Sequence, residues 1–136
     1  MRANEFIREG AEMIAYHKHP EDNNMWTFPK GYQDDESVES PYLSNASMRT
    51  FLDTLGYDSD FEEMSPVPAK EFIARTTQWL QKNIGKPSAE EPTTQDGNMI
   101  SVGKPQGYMN ELVMAHNEVA RKVLAKYPQV THFGFN

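Results

Sequence analysis

The stretch Gly103-Lys104-Pro105-Gln106-Gly107 lies between a short apolar run and a long amphipathic one, where a glycine-rich loop could wrap a phosphate at a helix start. The nucleotide version of that chemistry requires G-x-x-x-x-G-K-[ST]: backbone N–H groups surround the phosphates and the hydroxyl holds magnesium. Here Pro105 follows Lys104 and offers neither an N–H nor a hydroxyl, and Asn98 stands where the first glycine belongs. G-x-G-x-x-G is absent as well, because the two glycines are four residues apart. The stretch reads as a strand-to-helix turn, with Gly103 free in its dihedrals and Pro105 fixing one near the helix start. What survives is a weaker anion site at the free N–H groups near Gly107 and Tyr108, with Lys104 beside them.

Other combinations lose a required member in the same way. His116-Asn117-Glu118 matches the H-x-E of zinc deaminases, but the chain has no cysteine to supply the partner ligands. His116 also falls on the apolar stripe of its helix, which favours a core histidine. His17 and His19, followed by Glu21 and Asp22, offer imidazole and carboxylate that suit zinc, and the two histidines would point the same way if the segment is extended. They lack the H-E-x-x-H spacing, and a polar loop is the favoured explanation, so no metal and no cofactor is expected. Asp58, Asp60 and Glu62 occupy the first, third and fifth positions of a calcium loop, yet Glu63 replaces its glycine and Ala69 its final glutamate. There is no G-x-S-x-G elbow for a nucleophilic serine.

The segment from Tyr42 to Tyr57 reads YLSNASMRTFLDTLGY. This segment resembles a group of uncharacterised bacterial and phage proteins. Their L-N-x-S-N-A-type segment runs into a short helix ending in L-G, followed by a polar connector, a helix, a strand, a G-x-P-x-G-Y turn and a long final helix. Leu43, Ser44, Asn45, Ala46, Leu55 and Gly56 fit the first part, and Gly103, Pro105, Gly107 and Tyr108 the second. The resemblance covers about residues 42–136, and the opening MRANEFI looks like the N-termini of some marine phage proteins. It implies that the two segments belong together and brings no activity with it. Ser44, Asn45 and Ser47 would then join Lys104, Gly107 and Tyr108 around a carboxylate, a phosphate or a partner's backbone. The plainer reading is that Ser44 and Asn45 cap their own helix, Gly107 permits packing and Tyr108 fills the core edge.

The elements that must position these residues follow from periodicity. Residues 2–16 read as a helix capped by Asn4, with Phe6, Ile7, Met13 and Ile14 on one face. From His17 to Tyr42 the pattern dissolves into an irregular aromatic and acidic segment, with a short strand at 25–28. Residues 44–56 form a helix with Met48, Phe51, Leu52 and Leu55 as its stripe and Gly56 as its C-terminal residue. A third helix opens at Ser65-Pro66-Val67-Pro68 and continues to about Asn83, with Ala69, Phe72, Ile73, Thr76 and Leu80 inward. A polar linker spans 86–97. A strand at 98–102, a final helix from Gln106 to Tyr127 and a strand at 129–135 complete the chain. The fold class expected is α+β, one domain over 1–136 with about four helices. Its small sheet would include the strands near 98–102 and 129–135, joined by a right-handed crossover if parallel.

Composition narrows the function. The net charge of −7 is uneven: residues 1–97 carry 9 basic and 18 acidic side chains, whereas 98–136 carry 4 and 2. No cluster of Lys and Arg could release counterions from a phosphate backbone, so no nucleic-acid partner is expected. The mean hydropathy is −0.74 and no apolar run approaches a membrane span. With no signal-like N-terminal run and no cysteine, a cytoplasmic location is expected, or the virion if the gene is a phage's. The expectation is a non-enzymatic interaction or structural protein, meeting a protein partner or a second copy through Trp26, Phe28 and Tyr32. The competing expectation is a small anionic-ligand site or metal-dependent enzyme built on the helix starts at 44–47 and 104–108, with the His17/His19 loop.

Overall fold

The run Met13-Ile14-Ala15-Tyr16 is apolar without a break, a pattern that suits a helix and a strand buried on both faces equally well. In the computed structural model it is a strand. The structure describes residues 10–19, 25–58, 60, 64–83, 94–96, 99–101 and 108–136. The chain enters as β1 (Gly10–Ala11) and β2 (Met13–His19), then β3 (Met25–Thr27), a 3-10 turn (Glu36–Val38) and β4 (Leu43–Ser44). It continues through α1 (Asn45–Thr54), β5 (Val67–Pro68) and α2 (Ala69–Asn83). The remainder is β6 (Thr94–Asp96), β7 (Met99–Ser101), α3 (Tyr108–Lys126) and β8 (His132–Phe135).

The expected first helix is therefore corrected: residues 10–19 are strands, and residues 2–9, including Asn4, Phe6 and Ile7, lie outside the described residues. The described residues contain three α-helices rather than about four. The mixed helix-and-sheet class holds, but the sheet is composed differently from the expectation. Its order is β3-β2-β8-β5 and every pairing is antiparallel. The strand expected at 98–102 is β7, and it pairs with β6, part of the expected linker, rather than with β8. No parallel crossover thus connects β7 to β8. Only two residues, Gly97 and Asn98, stand between β6 and β7 in the sequence, and an antiparallel pairing across so short a gap closes far less chain than a crossover does.

Register assigns the faces. Met13 lies opposite Phe135 and Ala15 opposite Phe133, and Phe133 is also opposite Val67, so these five buried side chains share one face. Phe72 of α2 packs on that face, its ring 5.6 Å from Phe133 and 5.7 Å from Phe135. Phe51, Phe72 and Phe133 have no exposed surface, and burial of each contributes roughly 1.5–3 kcal/mol. The ladder continues past β8, where Glu12 and Asn136 exchange both backbone hydrogen bonds.

The segment that looked irregular completes the free edge of β2. Beyond β3, the Met13 N–H donates to Ser40 Oγ at 2.9 Å, whose hydroxyl returns to the Met13 carbonyl at 3.1 Å. The Ala15 N–H donates to the Tyr32 hydroxyl at 3.0 Å. Side chains thus stand in for a missing strand between β3 and the β1–β4 pair, as buried backbone groups require.

Helix ends follow local chemistry. Ser44 Oγ accepts from the Ser47 N–H and caps α1. At the other end Tyr57 N–H reaches the Leu52 carbonyl and Gly56 N–H the Asp53 carbonyl, a Schellman closure that Gly56 permits with φ at +85°. Arg75 of α2 donates to the Leu55 carbonyl at 3.1 Å and ties that end down. Between α2 and α3 the buried Asn117 amide donates to Thr76 Oγ1 at 2.7 Å and to Thr77 Oγ1 at 3.1 Å. No helix among the described residues is long and apolar enough to cross a membrane.

Candidate functional site

Alternation along β2 sends Tyr16 and Lys18 to the face opposite Phe72. There Lys18 is paired with Trp26 of β3, and Tyr16 with His132 of β8. Four rings meet on this outer face. The Trp26 ring lies 4.5 Å from the His132 ring and 6.3 Å from the Tyr16 ring. Phe28 stacks on Tyr16 at 5.2 Å. The Lys18 ammonium sits 4.7 Å above the Trp26 ring, and Asn136 donates to the Tyr16 hydroxyl at 3.1 Å. Gly134 makes room: a Cβ there would stand 2.6 Å from Tyr16 Cε2. Burial first, and the charge of Lys18 second, hold the His132 imidazole below its ordinary pKa, which favours a neutral ring. Phe28 remains 39% exposed and Met25, on the outermost strand, 63%.

The two edges of this sheet differ. β5 is two residues long, contains Pro68 and follows Pro66, and proline blunts an edge because it cannot donate to a further strand. β3 carries no proline. Among the described residues no strand pairs with the outer side of β3, and the face and this edge are continuous at Trp26.

Of the three residues expected at an interface, Trp26 and Phe28 lie on this face. Tyr32 is 6% exposed, its hydroxyl spent on Ala15 and its ring edge-on to Tyr127 at 5.8 Å. It covers the core. Ser44 and Ser47 hydrogen-bond each other at 3.0 Å and serve the cap of α1, where Asn45 is the first helical residue. Tyr108 is half-buried against the core at the start of α3. Lys104 and Gly107 lie outside the described residues, so the meeting of the two helix starts is not part of the described geometry. His17 and His19 both fall in β2, and Thr27 Oγ1 lies 3.2 Å from His17 Nε2. Among the described residues no group of three or more His, Asp or Glu is arranged to hold a metal ion.

A second cluster escaped the sequence. Asp35 accepts from the Tyr127 hydroxyl, the Lys126 ammonium and the backbone and side chain of Ser37. Lys126 above all, then Ser37 and Tyr127, hold its carboxyl well below the ordinary carboxylate range. The same carboxylate pushes the Tyr127 phenol up to about 12. An open groove of about 400 Å³ adjoins it, lined by Ser37, Val38, Lys122, Ala125 and Lys126. In sequence Asp35 belongs to a run of carboxylates, with Tyr127 92 residues away, and nothing in that run points to the end of α3. The cluster fastens the 3-10 turn to the end of α3 and presents no free nucleophile.

No family model, no curated protein and no solved structure matches this chain.

Proposed function

We propose that this protein is a non-enzymatic interaction or structural protein that meets a protein partner, or a second copy of itself, through the outer face and β3 edge of its sheet. The observation that carries the reading is the exposure of Phe28 on the same face as Trp26, with Met25 exposed on the other face of the same edge strand, which lacks proline. Aromatic side chains anchored by their neighbours lose little entropy on docking, and an open strand edge supplies directional hydrogen bonds to a partner. The hydroxyls of Ser44 and Ser47 are engaged in capping, which weakens the anion-site alternative.

The double variant Met25→Ser/Phe28→Ser tests the reading. Both side chains are exposed, so circular dichroism and thermal midpoint are expected to stay close to those of the parent. Native mass spectrometry is expected to show the loss of a multimer or of a co-purifying protein. A variant that keeps every assembly of the parent contradicts the proposal. A stoichiometric small-molecule mass on each chain would favour the ligand reading instead.

A further inference from the structure

His116 stands midway along α3 with none of its surface exposed. Its Nδ1 lies 2.8 Å from the Leu112 carbonyl oxygen, which selects the tautomer with its proton on Nδ1. What the ring meets is Phe51 of α1, with centroids 4.3 Å apart, and Phe51 in turn lies 6.4 Å from Phe72 of α2. A neutral imidazole fits this seam as a flat, weakly polar wedge. An imidazolium would place a second N–H and a full charge in the same seam, at the cost of desolvating both.

Among the described residues, burial and the Leu112 carbonyl are what act on the ring, and no neighbouring charge does; the buried carboxyl of Glu12 follows β1, which packs against α1 rather than against the ring. On α1, Arg49 and Asp53 are exposed, and on α3, Glu111 and Glu118 are exposed while Tyr108 lies two turns earlier on the same stripe. On α2, Glu71 and Arg75 pair with each other at 2.9 Å. The Tyr57 phenol, beside Phe72, is pushed up to about 12 by burial and stays protonated. The contacts that join α2 to the sheet run through Phe72, Phe133 and Phe135 and do not pass through His116.

We propose that His116 makes the seating of α1 against α3 conditional on proton concentration, the neutral ring closing the seam and its protonation releasing α1 while the β2–β8 ladder persists. The segment set free would be β4 and α1, carrying Met48, Phe51 and Leu52 out of the core. Among the tethers that hold it are the two-residue pairing of β4 with β1 and the hydrogen bond from Arg75 to Leu55. The direction follows from linkage. Burial lowers the His116 pKa from 6.5 to about 4, so the seam is at full strength above the unfolded value and weakens as pH falls toward the folded one.

Hydrogen exchange of the full chain, read peptide by peptide and corrected for intrinsic rates, tests this at about pH 7.5 and about pH 4.5. Protection of residues 45–54 is expected to fall on the order of tens of fold between those conditions, with β2 and β8 little changed. In His116→Met, which fills the seam without titrating, the α1 amides are expected to keep their protection. His116→Gln serves the same purpose should the methionine variant not fold. Three results overturn the proposal: α1 protection independent of pH in the parent, an equal loss in the non-titrating variant, or a loss shared evenly by β2 and β8.

Discussion

A hydroxyl can replace a strand, and Tyr32 illustrates what single residues contribute here. Its aromatic neighbours in sequence made it a candidate for an interface, yet its oxygen accepts the N–H of Ala15 and its ring is buried. Nothing within several residues of Tyr32 announces that role, because the partner is an edge of β2 that exists only once the sheet has formed. Tyr32→Phe keeps the ring and removes the acceptor, leaving a buried N–H unpaired. The variant is expected to lose about 1–3 kcal/mol of stability in chemical denaturation, with assembly unchanged. A loss within error would mean that water replaces the hydroxyl and that the edge is open. Asp35 was illegible for the same reason. Four donor groups converge on it from Ser37, Lys126 and Tyr127, while the acidic run around it suggested only solvent.

The elements were legible where their signals are local. α1 announces itself at both ends, through Ser44 as cap and Gly56 as the left-handed residue, and its stripe of Met48, Phe51 and Leu52 is buried as the spacing predicts. Ser44→Ala removes the acceptor for the Ser47 N–H and is expected to cost about 1 kcal/mol. Thermal denaturation beside Ser47→Ala checks this. A larger loss in the Ser47 variant would assign the end of α1 to the hydroxyl pair rather than to the cap. α2 and α3 were legible through stripes of three and four, and Pro128 marks where α3 stops. β2 was not, because Met13 and Ala15 face the helices while Ile14 lies toward the other face and is buried too. A strand covered on both faces loses its period of two, and only the partner strands disclose it. The partnership of β7 was hidden as well, since strand spacing says nothing about which edge a strand will find.

For the whole molecule, mixed helix and sheet could be read from the order of elements, but the asymmetry of the sheet could not. The contacts of Phe72 with Phe133 and Phe135 set α2 against one face, while the other gathers Tyr16, Trp26, Phe28 and His132 from three separate stretches. Of the proposed site, Trp26 and Phe28 could be named from sequence as aromatic residues amid charge. Tyr16, Lys18 and His132 join them only through register. The net charge of −7 opposes the approach of copies of the chain at long range, so self-association through the proposed face would depend on short-range contact.

The most direct measurement places a photo-crosslinking side chain at position 28 of the full chain, in the cells that natively express it. A matched chain carries the crosslinker at position 118, an exposed site on α3. The account predicts one discrete adduct from position 28, a dimer of this chain or a single other protein, and none of comparable yield from position 118. No adduct from position 28, or the same products from both positions, would contradict it.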